Sequence, residues 1–137
     1  MKLSQLLRTS EVSPVELVGD TDIESVSMDS RQVQPGALFV CMPSKNADTQ
    51  GYIVAAAERG AVAAVVFDPR GIEFANTSGI AAVRLSNEGL SYNEALWRLC
   101  RTFFNCPTHS MKVVGVTGTN GKTTTAWLMR DMMVALK

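Results

Sequence analysis

A chain of 137 residues is enough for one ordinary domain with a substantial buried core. Thirteen basic residues balance thirteen acidic ones, and 46% of the residues are hydrophobic, which excludes bulk electrostatic attraction to nucleic acid or an anionic membrane. No apolar run approaches the roughly 20 residues of a membrane span, and the opening "MKLSQLLRTSEVSP" lacks the apolar stretch of a secretion signal, so a cytoplasmic setting is expected.

In chain order, Lys2–Thr9 reads as a short helix, with Leu3, Leu6 and Leu7 at helical spacing. Ile23, Val26 and Met28 suggest a strand that turns at Asp29-Ser30-Arg31. Pro35-Gly36 signals a turn, and Ala37–Met42 is a compact apolar strand. Pro43–Gln50 contains no periodic apolar residue and reads as a loop. Tyr52–Arg59 is alanine-rich and helical, with Gly60 placed as its C-terminal cap. Ala61–Asp68 and Ile80–Ser86 are further buried strands. Ser86 or Asn87 is expected to cap a helix running to about Phe104, with Leu96, Leu99, Cys100 and Phe103 along one stripe. Strands alternating with helices predict an α/β domain.

Cys41, Cys100 and Cys106 are odd in number and lack Cys-x-x-Cys spacing. That argues against a disulfide framework and a zinc site. His109, the only histidine, falls in a polar linker and is assigned no role. That linker, Asn105–Lys112, divides the chain into a domain over residues 1–108 and a short unit over 109–137.

The short unit carries the one strong motif. Val113–Val116 reads as a buried strand, Thr117–Gly121 as a glycine-bearing loop and Lys122–Lys137 as a helix. The generic phosphate loop, Gly, four residues, then Gly-Lys-Ser/Thr, fails here because Val116 stands where the first glycine belongs. Gly118 and Gly121 nevertheless allow positive φ and leave no Cβ between backbone and phosphate oxygens. Amides from about Thr119 to Thr124 can face an anion at the positive end of the following helix. Lys122 supplies a point charge for β- and γ-phosphates, Thr123 a hydroxyl for Mg²⁺, and Thr124 a further donor. Thr117 and Asn120 complete the loop. The motif therefore predicts a nucleotide polyphosphate with Mg²⁺.

"GVTGTNGKTTTAWLM" resembles the ATP-binding loop of the Mur ligases, in which Gly-Thr-Asn-Gly-Lys-Thr-Thr replaces the generic form. Upstream, "SMDSRQVQPGALFVCMPSKNADTQGYIVAAAERGAVAAVVF" resembles the N-terminal domain of the family's third ligase. That enzyme acts on UDP-N-acetylmuramoyl-L-alanyl-D-glutamate. The likeness runs from about Val26 to Ala126. It implies a UDP-substrate domain over 1–108 and the start of a P-loop ATPase domain over 109–137, whose nucleotide is ATP, in a chain that is part of a longer protein.

The resemblance also implies site residues. Met28 and Ser30 would contact the uridine end of the substrate, and Lys45, Asn46 and Ala47 would lie along the diphosphate or uracil. Arg31 would hold the substrate-side turn, and Lys122 would act in catalysis. Two departures stand out. Relatives commonly have an Asp-Gly-His-like sequence where this chain reads "DTQGY", and a glycine near Met42-Pro43-Ser44. The implied reaction is ATP-driven amide formation through an acyl phosphate, adding lysine or diaminopimelate to the dipeptide precursor of peptidoglycan. The chain alone would be inactive, because the family's remaining catalytic parts would follow Lys137. The fourth Mur ligase and a non-catalytic UDP-sugar-binding module remain alternatives. Trp127, Leu128, Met129, Met132, Met133 and Leu136 make the last helix apolar around most of its circumference. Disorder, packing on the first domain or pairing with another copy is expected to cover it.

Overall fold

Ala37–Val40 forms strand β3, buried at every position, and the sheet grows around it. The computed structural model describes residues 1–44, 48–86 and 89–136. In chain order, helix α1 covers Leu3–Thr9, β1 Pro14–Val18, β2 Ser25–Ser27 and β3 Ala37–Val40. Helix α2 covers Gly51–Glu58, β4 Ala61–Val66, α3 Arg70–Thr77, β5 Ala81–Leu85 and α4 Tyr92–Phe103. The strand order is β1-β5-β4-β3-β2. Strands β2 to β5 run parallel, and β1 closes one edge antiparallel to β5. The expected α/β class is therefore found.

A parallel sheet needs cover on both faces, and side chains alternate between the faces along each strand. Leu38 and Val40 join Leu3, Leu6, Leu99 and Ala95 on the side of α1 and α4. Ala37, Phe39 and Cys41 join Ile53, Ala56, Ile72 and Ala75 on the side of α2 and α3. The pairing of β3 with β4 slips between Ala37 and Leu38. This irregularity lets Ala61 share a face with Ala64 and Val66 while Ala63 and Val65 point to the other.

Local chemistry sets the helix ends. Asp20 caps α1 from outside the helix: its carboxylate accepts from Ser4 N at 3.0 Å and from Ser4 Oγ at 2.8 Å. These bonds hold the Asp20 carboxyl below its ordinary pKa. At the start of α4, Ser91 Oγ accepts from Glu94 N at 3.2 Å, the first half of a capping box. The expected cap at Ser86 or Asn87 is thus corrected. The helix begins at Tyr92, one turn later than its apolar pattern suggests, because Ser91 is followed by Glu94 at the favoured spacing; Asn87 lies outside the described residues.

Two elements were not anticipated. Strand β1 has four exposed residues and one intermediate, so no alternation marks it; it exists because β5 offers a free edge. Helix α3 begins after Asp68-Pro69, where Asp68 Oδ1 accepts from Arg70 N at 2.9 Å. Its buried face is Gly71, Ile72 and Ala75, a sequence that reads locally as a turn.

The chain divides into two compact units, Met1–Cys106 and Pro107–Lys137. The second holds a 3₁₀ turn at Pro107–His109 and helix α5 at Lys122–Ala135. The expected strand at Val113–Val116 is corrected, since these residues form no strand. A lone extended segment has no neighbour to complete its backbone hydrogen bonds, and Val113 and Val114 are exposed.

A methyl group at Gly71 would come within 2.7 Å of the Val66 side chain and 2.8 Å of Gln50 Oε1. Gly71→Ala should therefore destabilise the protein by about 1–3 kcal/mol, the usual cost of overpacking. Gly51→Ala, with nothing within 4 Å of the added carbon, should be neutral or stabilising by up to about 1 kcal/mol. Urea denaturation measures both.

Candidate functional sites

Strand β2 ends at Ser27, and the chain then makes a tight polar turn built around one carboxylate. Ser27 Oγ donates to Asp29 O at 3.0 Å and accepts from Asp29 N at 3.3 Å. Asp29 Oδ1 accepts from Arg31 N at 3.0 Å and Arg31 Nε at 2.9 Å, while Oδ2 accepts from Arg31 Nη2 at 2.8 Å. Gln32 N closes the turn onto Asp29 O at 3.0 Å. The two-pronged guanidinium contact fixes direction as well as charge. Hydrogen bonds from Arg31 lower the Asp29 carboxyl pKa to about 2.

This turn forms one side of a recess of about 480 Å³ lined by Met28, Asp29, Ser30, Arg31, Phe39 and Tyr52. It lies where β2 and β3 run out and α2 begins, beyond the carboxyl ends of parallel strands, where α/β sheets bind ligands. The hydroxyl of Ser30 has no hydrogen-bond partner among the described residues, which leaves it available to a ligand. Met28, Ser30 and Arg31 are thus gathered in one place. Lys45, Asn46 and Ala47 lie outside the described residues.

Phe39 and Tyr52 escaped the sequence reading as site residues. Phe39 looked like core, which it also is, and Tyr52 looked like an ordinary helix start; the only available signal was an aromatic directly after a polar loop. The downstream end of that loop is held in place. Cys41 Sγ donates to Thr49 O at 3.3 Å, and burial pushes its thiol pKa up. Asp48 accepts from Gln50 N at 3.2 Å and pairs with Arg70 at 3.6 Å.

The second site lies in the Pro107–Lys137 unit. Gly118 has φ +148° and Gly121 φ +77°, so both glycines occupy backbone regions that side chains disfavour. A methyl group at Gly121 would meet nothing within 4 Å. The loop surface is therefore open. Gly121 is the N-terminal cap of α5, and Thr125 N makes the first bond of the helix, to Gly121 O at 2.9 Å. The amides of Lys122, Thr123 and Thr124 precede that bond and require an outside acceptor, as in any first turn.

Lys122 Nζ donates to the Gly118 carbonyl and, at 3.4 Å, to Thr119 O, so the ammonium sits over the loop. Thr117, Asn120 and Thr124 are exposed around it. A recess of about 700 Å³ beside Lys122 and Thr123 is also lined by Val116, Trp127 and Arg130. This donor set fits a polyphosphate. For a divalent cation Thr123 offers one oxygen; no group of three or more His, Cys, Asp or Glu among the described residues could hold a metal ion.

A sequence profile described as "Mur ligase family, catalytic domain" matches residues 22–103, more than half of the chain. The chain belongs to the Mur ligase family. The matched region contains the recess at Ser30 and ends before the glycine loop. Among the relatives is a UDP-N-acetylmuramoyl-L-alanyl-D-glutamate–2,6-diaminopimelate ligase from Bacteroides fragilis, 37% identical over 94% of this chain and 25% of the relative. A ligase of the same name from Geobacter metallireducens is 38% identical over 97% of this chain and 24% of its own. The chain thus spans about a quarter of the length of these curated Mur ligases. In fold it is similar to a crystal structure of MurF from Acinetobacter baumannii, with a TM-score of 0.60, 23% identity, and coverage of 89% of this chain and 25% of that one. No helix among the described residues is long and apolar enough to cross a membrane.

The ion pair at the recess makes a direct prediction. The Asp29 carboxyl, held at about 2, lies below the ordinary value of roughly 3.9. Its contribution to the turn should be complete above about pH 4 and lost as pH falls through about 2. Titration followed by carboxyl-carbon NMR should show this low midpoint, and Arg31→Ala should return it toward the ordinary range.

Proposed function

We propose that this chain contributes two parts of an ATP-dependent ligase of peptidoglycan synthesis. Residues 1–108 hold UDP-N-acetylmuramoyl-L-alanyl-D-glutamate, and residues 109–137 begin the ATP-binding domain. The supporting observation is the pairing, in one Mur ligase chain, of a recess offering the Ser30 hydroxyl with a glycine loop offering Lys122 and Thr123. The names of the relatives support 2,6-diaminopimelate as the amino acid added, and the cytoplasm as the site of action follows from that chemistry.

Within this reading Met28 and Ser30 contact the uridine end, and Lys45, Asn46 and Ala47 extend the contact along the diphosphate. Arg31, bound to Asp29, keeps the turn in place while its remaining N–H groups stay available to an anion. In the second site Thr117 to Thr124 enclose the polyphosphate. Lys122 would neutralise charge near the transferred group, and Thr123 would offer its hydroxyl to Mg²⁺. ATP would supply its γ-phosphoryl group to the substrate carboxylate with release of ADP, and an amine would then displace phosphate to form the amide. Such transfer depends on positioning and charge neutralisation, which is what a fixed lysine and a row of backbone amides provide.

Calorimetry tests both halves. UDP and UDP-N-acetylmuramoyl-L-alanyl-D-glutamate should each bind the chain, and Ser30→Ala should weaken both by up to about tenfold, one net hydrogen bond. ATP with Mg²⁺ should bind separately. Lys122→Ala should weaken that binding by at least about tenfold, the loss of a contact to a charged group. Absence of heat with either uridine compound refutes the assignment of the recess. Unchanged ATP affinity in the Lys122 variant refutes that of the loop.

A further inference from the structure

The recess beside Ser30 has apolar walls that the assigned contacts leave unused. Phe39 is only 2% exposed, yet it lines the recess, so a buried residue forms its floor. Met28 and Tyr52 are 54% and 51% exposed and line the same space. One exposed apolar side chain on a surface needs no explanation. Two bordering one hollow, over a buried aromatic floor and beside a charged turn, match the composition of a small-molecule site.

The two lining residues differ in what they can do. Met28 is flexible and adapts to whatever it meets. Tyr52 is a rigid plane in the first turn of α2, whose backbone is tied down by Tyr52 N donating to Thr49 O at 3.1 Å. Asp48, Thr49 and Gln50 ahead of it are anchored through Arg70 and Cys41. The ring therefore stands on a fixed base, and Arg31 lines the same recess. A flat group entering the recess would meet the Tyr52 side chain among its walls.

We propose that Tyr52 is the stacking platform for the base of the uridine diphosphate group, with Phe39 as the floor of the recess and the Ser30 hydroxyl at the uridine end. This rests on the uridine reading of the recess and adds to it a residue that supplies much of the base affinity. Stacking on an aromatic ring is tolerant of base identity because every base has a π-face. Tyr52 accordingly sets how tightly a base is held, while the depth of the recess and the Ser30 hydroxyl set which base is preferred.

The test compares UDP binding to the 137-residue chain and to its Tyr52→Ala and Tyr52→Phe variants, with saturation-transfer NMR on the bound nucleotide. Tyr52 is half-exposed, so circular dichroism should show all three folded alike. Tyr52→Ala should weaken UDP by at least about fivefold, and the uracil H5 and H6 signals should fall relative to the ribose signals. Tyr52→Phe should bind within about twofold of the parent. If Tyr52→Ala binds UDP as the parent does while Ser30→Ala does not, the stacking role is overturned and the uridine site survives. If the uracil and ribose signals fall together, Tyr52 acts on the whole nucleotide, and the platform role is again overturned. If the unaltered chain shows no UDP binding, the uridine reading fails and the Tyr52 proposal fails with it.

Discussion

The burial of β3 on both faces is the constraint from which the rest of the first unit follows. A strand with no polar side cannot lie at the surface, so it must have strands beside it and helices above and below. Leu38 and Val40 draw α1 and α4 onto one face, and Phe39 and Cys41 draw α2 and α3 onto the other. With the strands parallel, β2 and β3 end on the same side of the sheet, and the chain leaves each as a loop. The recess at Ser30 is the gap between those exits, and Phe39 belongs both to the core and to its floor. The recess and the core are therefore coupled through a single side chain.

The two sites reach order by different routes. At the recess, order comes from a carboxylate that collects donors: Asp29 accepts from the backbone and side chain of Arg31, and its own backbone is bonded to Ser27. The turn is thus ordered by its own hydrogen bonds, and a ligand of this recess would meet it already formed. At the glycine loop, order comes from backbone geometry. Gly118 and Gly121 take conformations that few residues share, and Lys122 folds back onto the loop carbonyls. Those contacts use the ammonium protons that an anion would claim, so a polyphosphate would have to win Lys122 from the backbone. A charged acceptor makes the stronger hydrogen bond and favours that exchange.

Helix α5 shows what local order leaves undone. It is fully formed over Lys122–Ala135 with no buried residue, and Trp127, Leu128, Met132 and Met133 are exposed. Arg130 lies over the Trp127 ring at 4.7 Å, covering one aromatic face by a contact within the helix itself.

Periodicity and motif by themselves determined the α/β class, the buried strands β3, β4 and β5, the helix α2 that stops ahead of Gly60, and the glycine loop. In each case the signal is local: an apolar run, a left-handed cap or a glycine spacing whose meaning does not depend on distant residues. The family resemblance likewise singled out Met28, Ser30 and Arg31, which the fold gathers around one recess. Tertiary structure alone decided β1, which has no pattern of its own and forms because β5 has an open edge, and α3, whose Gly71 only a close approach to Val66 explains. It also decided against a strand at Val113–Val116, because a strand is a property of two segments and its unit supplies one. The membership of Tyr52 and Phe39 in the recess is of the same kind, since it depends on where two strands end relative to a helix, and no spacing along the chain records that distance.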